Sequence, residues 1–265
     1  MIHMLKIEFA KVKNFKTFWI ILACYAGITP LIFYGLCAFW VNILGDFGPP
    51  MKAYMSFPNV WSYIGWTAAW LNILLGILVV VLVCNEITFK THRQNIIDGM
   101  SRHSVILGKF YFLVALALAV TVYALILGFI FGAIYSDIGN MFNGIEYIGV
   151  YFIQTLGYFS FAFFFAILIR KPALAIILYF VTFLLNLFLP LILGDIAVQY
   201  FPTYLISGLT PFPFLEGLLE FAASQDPNAD TDPFILGQSW KMILAVVYIA
   251  SFFTVGYLSL KKRDL

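Results

Sequence analysis

The side chains that ordinarily do chemistry are few in this chain, and their spacing suits none of the common reactions. Cys24, Cys37 and Cys84 stand far apart with no CxxC or CxxH pair, so neither a disulfide framework nor a metal site is implied. His3, His92 and His103 fall among charged residues. Solvated loop histidines are the ordinary case there, and a metal role for His92 and His103 is the weaker alternative. A nucleotide-binding loop would read GxxxxGK[ST]; the nearest approach, ILGKF at 106–110, has the Gly-Lys pair without the loop or the hydroxyl. The chain is therefore not expected to be an enzyme or to hold a cofactor or metal of its own.

The apolar stretches are emptier still. Those free of Asp, Glu, Lys and Arg run over 17–45, 53–85, 110–136, 147–169, 172–194, 196–215 and 242–260, and none contains a histidine. Ion-coupled carriers keep ionisable groups inside their spans to bind or relay the driving ion. Intramembrane hydrolases need a nucleophile, a metal ligand or an acid–base pair. Neither set is present. What remains is Asn72, Gln154 and Asn186, with scattered Ser and Thr. Such residues either hydrogen-bond between helices or face a transport pathway, the former being the commoner role. GFIFG at 128–132 fits the close-packing GxxxG pattern, a weak signal because glycine is common in spans.

The elements that must carry these residues follow from composition. Of 265 residues 63% are hydrophobic and 11% are charged, with 29 Phe and 15 Tyr. A soluble domain of this length needs a charged surface that this chain lacks. Hydrocarbon as the solvent asks for roughly 20 apolar residues per helical span. Aromatic residues gather near stretch ends, among them Trp19, Trp40, Trp61, Tyr135 and Trp240, where amphipathic rings favour the membrane boundary.

Stretch 196–215 stands apart, because Pro202, Gly208, Pro211 and Pro213 interrupt it. Each internal proline removes a backbone donor. Broken backbone at membrane depth is tolerated only where protein or a cavity covers it. This predicts a re-entrant or interfacial segment over 196–223, leaving six spans at about 18–42, 61–84, 105–135, 146–169, 172–194 and 240–260. With the N-terminus inside, every Lys and Arg except Lys52 and Lys241 then falls on the cytoplasmic side. A seventh span would carry Lys261, Lys262 and Arg263 outside, against the positive-inside bias. The expected fold is an all-α integral membrane domain over 1–265 with both termini cytoplasmic. The first apolar stretch is too long for a signal h-region, which predicts an uncleaved anchor. Residues 1–16 read as an amphipathic helix, Ile2, Leu5, Phe9 and Val12 sharing one face and lysines much of the rest, as suits a helix on anionic membrane lipids.

The longest cytoplasmic loop, CNEITFKTHRQNIIDGMSRHSVILGK at 84–109, holds most of the internal polar residues. Glu86 to Asp98 can form a short helix that Gly99 would end, and Ser101 is placed to cap the next one. By composition alone this is a solvated loop. The whole arrangement nevertheless resembles the permease subunit of the type-2 ABC transporter family, in which a basic amphipathic helix precedes six spans and a coupling helix follows the second. That family places an acidic residue, a polar turn, a basic residue, a bend and a Gly-Lys pair along this loop. Here they are similar to Glu86, Lys90-Thr91, Arg93, Met100-Ser101-Arg102 and Gly108-Lys109. Phe89-Lys90 departs from the usual glycine, and Gly99-Met100 from the usual proline. The re-entrant place and the tail Lys261-Lys262-Arg263-Asp264 are similar as well.

The resemblance implies a coupling helix over 85–99. Glu86, Thr88, Lys90, Thr91, Arg93, Gln94, Asn95 and Asp98 would face an ABC ATPase subunit. Pro202, Gly208, Pro211 and Pro213 would form an outer gate. It further implies a second permease copy or paralogue and a location in a bacterial cytoplasmic membrane, with ATP and Mg bound by the partner ATPase. No nucleic acid is expected. The implied activity is export of a lipid-like, peptide or antibiotic cargo; the charge-free wall of Phe, Leu and Ile suits such a cargo better than a bare ion. A motor-free channel or carrier, and the membrane scaffold of an ATP-driven assembly, stay open as alternatives.

Overall fold

A computed structural model describes residues 2–44, 50–89, 97, 101–213 and 236–262. Among these every regular element is helical. In order they are α1 (Ile2–Lys13), α2 (Lys16–Leu44), α3 (Met51–Met55), α4 (Val60–Thr88), α5 (Arg102–Tyr135), a single 3₁₀ turn (Ile138–Asn140), α6 (Glu146–Ile169), α7 (Pro172–Leu185), α8 (Leu189–Val198), α9 (Pro202–Ser207) and α10 (Gln238–Lys262). Helices α2, α4, α5, α6 and α10 are long and apolar enough to cross a membrane. The chain is thus an all-α protein of the multi-pass membrane kind.

Helices α4 and α6 pack along each other at the centre, and α2, α5, α7 and α10 surround them. Their shared core is built from large side chains such as Trp61, Leu75, Leu78, Tyr151, Phe159 and Phe163, all fully buried. The outward faces are just as apolar: Leu31, Ile126, Leu178 and Val246 are all exposed. In water that would be a liability; against hydrocarbon it costs nothing.

Local signals account for the helix ends. The Ser101 side chain accepts from Ser104 N–H at 3.1 Å and caps α5, as the sequence predicts. Arg170 takes a left-handed conformation (φ 59°) that ends α6, and its N–H still reaches the Ala166 carbonyl. Lys171 is extended, as the residue before a proline must be, and Pro172 opens α7 from its first turn. The glycines at 128 and 132 form a notch on α5 that receives rings rather than another backbone: a β-carbon on Gly128 would strike Trp61, and one on Gly132 would strike Phe57.

The fifth apolar stretch departs from expectation. Instead of one helix over 172–194, α7 stops at Leu185 and α8 begins at Leu189. Pro190 explains the break, for it has no N–H to give the Asn186 carbonyl and its ring crowds that oxygen. A second bend falls at Gly194, whose φ of 74° lies in the region glycine favours. Tyr179 of α7 lies buried at the bundle middle, its ring 6.2 Å from that of Phe161. Pro202 then starts α9, and Ile206 of α9 packs on Gly157 at the middle of α6. Beyond it the chain reaches Tyr63 and Gln238, near the N-terminal ends of α4 and α10. Residues 214–235, which include the rest of the expected re-entrant segment, lie outside the described residues.

Replacing Gly132 with valine should lower thermal stability by about 1–3 kcal/mol, because the Phe57 ring has to be displaced. Gly139, with nothing within 4 Å of a β-carbon, should accept alanine with little change. Thermal unfolding of the detergent-purified variants checks both.

Candidate functional site

Four charged side chains meet where α1, α4 and α5 converge. Lys109 of α5 lies 2.5 Å from Glu86 of α4 and 3.8 Å from Glu8 of α1. Lys11 of α1 lies 2.6 Å from Glu8 and 3.5 Å from Glu86. Each carboxylate therefore touches both ammonium groups, and the formal charges cancel. The Lys109 side chain is 3% exposed and that of Glu8 7%. A lysine buried this deeply needs a carboxylate, since an unpaired ammonium would have to neutralise or reach water. A void of about 20 Å³ adjoins the cluster, enough for about one water, with Val79, Leu82 and Val83 among its walls.

Burial pulls the Lys11 ammonium down, but Glu86 and Glu8 beside it more than offset that, and its pKa ends above the ordinary 10.5. A raised lysine contributes its stabilisation at every pH below 10.5 and loses it only as pH climbs through the folded value. On this account Lys11 holds α1 at full strength at neutral pH. Glu8 also turns α1. The face directed at α5 carries Met4 and Glu8, both close to Gly108, while Phe9 of the expected apolar face is half exposed.

A second polar system crosses the bundle at mid-depth. Tyr25 of α2 and Tyr151 of α6 join hydroxyls at 2.7 Å. Tyr151 donates to Asn72 Oδ1 at 3.1 Å, Asn72 Nδ2 donates to Thr155 Oγ1 at 2.9 Å, and Thr155 donates to its own helix at the Tyr151 carbonyl. With Tyr25 as the first donor, this is a one-way chain in which each hydroxyl donates once and those of Tyr151 and Thr155 also accept. All four residues are buried. Its geometry ties α2, α4 and α6 together.

Gln154, one residue before Thr155, serves the broken segment. Its Nε2 donates to the Ser207 carbonyl at 3.1 Å, and its Oε1 accepts from Thr210 at 2.8 Å. Gln238 donates to the Leu209 carbonyl at 2.7 Å, and Tyr63 to the Pro213 carbonyl at 3.3 Å. Asn186, at the α7–α8 break, accepts from Thr203 at 2.6 Å. Pro202 is the first residue of α9 and Gly208 its C-cap, while Pro211 and Pro213 follow in non-helical chain.

The expected coupling helix is only partly described. Asn85 to Thr88 form the last turn of α4 instead of opening a separate helix, and Thr88 bonds back to the Cys84 carbonyl at 2.9 Å. Glu86 turns toward Lys109 and Lys11. Lys90, Thr91, Arg93, Gln94, Asn95 and Asp98 lie outside the described residues. Sequence reasoning missed Glu8, Lys11 and Lys109 as partners of Glu86, and Tyr25, Tyr151 and Thr155 as partners of Asn72. A signal for the first set existed: Lys109 borders a long charge-free stretch and had to find an acid nearby.

No protein-family model matches the chain, and no curated protein matches it in sequence.

Lys109→Met should cost about 3–5 kcal/mol, because two buried carboxylates would then share Lys11 alone. Adding Glu86→Gln to that variant should restore part of the loss. A double-mutant cycle on thermal unfolding in detergent reads the coupling, and simple additivity would dissolve the cluster as a unit.

Proposed function

We propose that this chain is the membrane permease subunit of an ATP-driven ABC transporter, coupled to separate ATPase subunits. The observation that carries the proposal is the fastening of the loop between α4 and α5. The residues that bracket that loop, Glu86 and Lys109, pair with each other and with α1. A partner pressing on the loop would therefore shift α4, α5 and α1 as one body, which is what a rigid-body switch requires. The resemblance of Glu86, Lys90-Thr91, Arg93 and Gly108-Lys109 to a coupling segment supports the same reading. Charges on that loop would set the register of docking.

In this reading the chain crosses a bacterial inner membrane six times, with both termini cytoplasmic. Helices α7 and α8 in series make the fifth crossing. The support is positional: α7 begins beside Arg170 at the C-terminal end of α6, and the chain after α9 lies beside Tyr63 and Gln238. A sixth crossing by α10 then returns the basic tail to the cytoplasm, as the positive-inside bias favours. Helix α9 acts as the re-entrant element, and Pro202, Gly208, Pro211 and Pro213 belong to the outer gate. Asn72, Gln154 and Asn186 lock helices together: both polar atoms of Asn72 and Gln154, and the Asn186 Oδ1, are engaged within the protein. The cargo is a lipid-like, peptide or antibiotic molecule, exported through a pathway formed with a second permease copy or paralogue. ATP and Mg belong to the ATPase.

Mild purification of the tagged chain from its native cell should recover an ATPase subunit. Reversing charge in the loop, Arg93→Glu with Asp98→Lys, should reduce permease-stimulated ATP hydrolysis at least tenfold with membrane insertion intact. Undiminished stimulation sinks the coupling assignment. Repeated recovery of a homo-oligomer without ATPase would favour a channel or scaffold. Glu86 is a poor choice for this test because its loss disturbs the buried cluster.

Topology has its own check. A cysteine introduced within 225–231 should react with an impermeant maleimide on intact cells. Reaction only after permeabilisation overturns the six-crossing arrangement.

A further inference from the structure

A cleft of about 800 Å³ lies between α1, α2 and α5, within the size range of ligand-binding pockets. It is partly open to the surface. Phe18 and Tyr25 line its floor from α2, and Ala115 and Ala119 of α5 keep it deep because they carry no bulk. Its tyrosines offer a ligand no free hydroxyl: Tyr25 bonds Tyr151, and Tyr123 bonds the Ala26 carbonyl. The interior is therefore apolar throughout. The only charged groups on its lining are Lys6 and Lys13, both exposed on α1 at one end. Among the described residues neither pairs with a carboxylate, in contrast to Lys11 on the same helix. Trp19 stands nearly half exposed at that end, its indole N–H fixed on the Lys13 carbonyl at 3.0 Å.

We infer that this cleft binds an anionic phospholipid of the surrounding leaflet, with an acyl chain between α2 and α5 and the phosphate between Lys6 and Lys13. Three features converge on that occupant. The wall from Phe112 to Tyr123 rises roughly 16 Å at 1.5 Å per residue, close to one leaflet's half of a roughly 30 Å hydrocarbon core. The cationic end coincides with the amphipathic helix and a boundary tryptophan, where a headgroup would sit. Two ammonium groups without acidic partners among the described residues complement a phosphate rather than a neutral tail or a second apolar helix. The lipid would fill the space beneath α1 and brace it from the side opposite the Glu8 cluster. This inference stands apart from the ATPase reading and needs no partner subunit.

The test uses the full chain in nanodiscs containing a phosphatidylglycerol or a phosphatidylcholine with the same diazirine-bearing acyl chain. Photolysis and peptide mapping should place adducts on Leu22, Ala26 and Ala119, several-fold more from phosphatidylglycerol than from phosphatidylcholine. Lys6→Gln with Lys13→Gln changes only exposed side chains. It should cut groove labelling by phosphatidylglycerol about fivefold per lysine and leave labelling of the exposed α10 face at Val246 unchanged. Ala119→Trp should remove groove adducts from both lipids. Equal labelling by the two lipids, or full labelling in Ala119→Trp, overturns the proposal. So do cross-links between two protein copies at Leu22 or Ala119 in place of lipid adducts, which would assign the cleft to a dimer contact.

Discussion

Hydrocarbon offers no hydrogen bonds, so any backbone group that leaves a helix within the membrane must find a partner in the protein. In this structure free backbone carbonyls gather protein donors at one place. Where α9 ends, the carbonyls of Ser207, Leu209 and Pro213 receive Gln154, Gln238 and Tyr63, each from a different helix. The interruption is thereby converted into a junction among α4, α6, α9 and α10. Gln154 makes two contacts there, its amide donating to the Ser207 carbonyl and accepting from Thr210 on the same segment. Without it, a proline-rich stretch in the bundle would be a defect instead of an element.

The same principle, applied to charge, organises the opposite end of α4. Two acids and two lysines neutralise one another between α1, α4 and α5. Buried ion pairs of this kind add little net stability over apolar packing, yet they penalise any arrangement that separates them. The cluster is best understood as a positional device. It decides which face of α1 turns inward, and it anchors both ends of the loop over 89–101. A void large enough for about one water adjoins it.

A third polar system, the Tyr25–Tyr151–Asn72–Thr155 chain, joins α2, α4 and α6 beside Gln154. Interhelical hydrogen bonds in membranes are individually modest, roughly 0.6 kcal/mol on average. Their value here is direction, because each donor has one acceptor and the helices can satisfy them in one register. Aromatic packing supplies the bulk, as in Trp61 against the Gly128 notch and Phe163 against Phe253.

The sequence by itself determined the class of the protein. Its scarcity of charge and its long apolar runs leave helices in lipid as the solution, and five of those runs are single long helices. It also marked the cap at Ser101, since a cap is a matter of neighbouring residues. Pro190 was visible too, but its effect was not foreseen: a proline near the end of an apolar run gives no sign of whether neighbours will stabilise a kink. Partnerships were beyond reach for the same reason. Glu86 read as a loop residue because its charge is legible locally, whereas Lys109 and Glu8 come to it only when three helices converge. Asn72 and Gln154 were legible as polar residues in spans, and only the packing chose Thr155 for one and the carbonyl of Ser207 for the other. Local chemistry is written along the chain, while a hydrogen bond or ion pair between distant residues exists only after the helices have settled their rotation and depth.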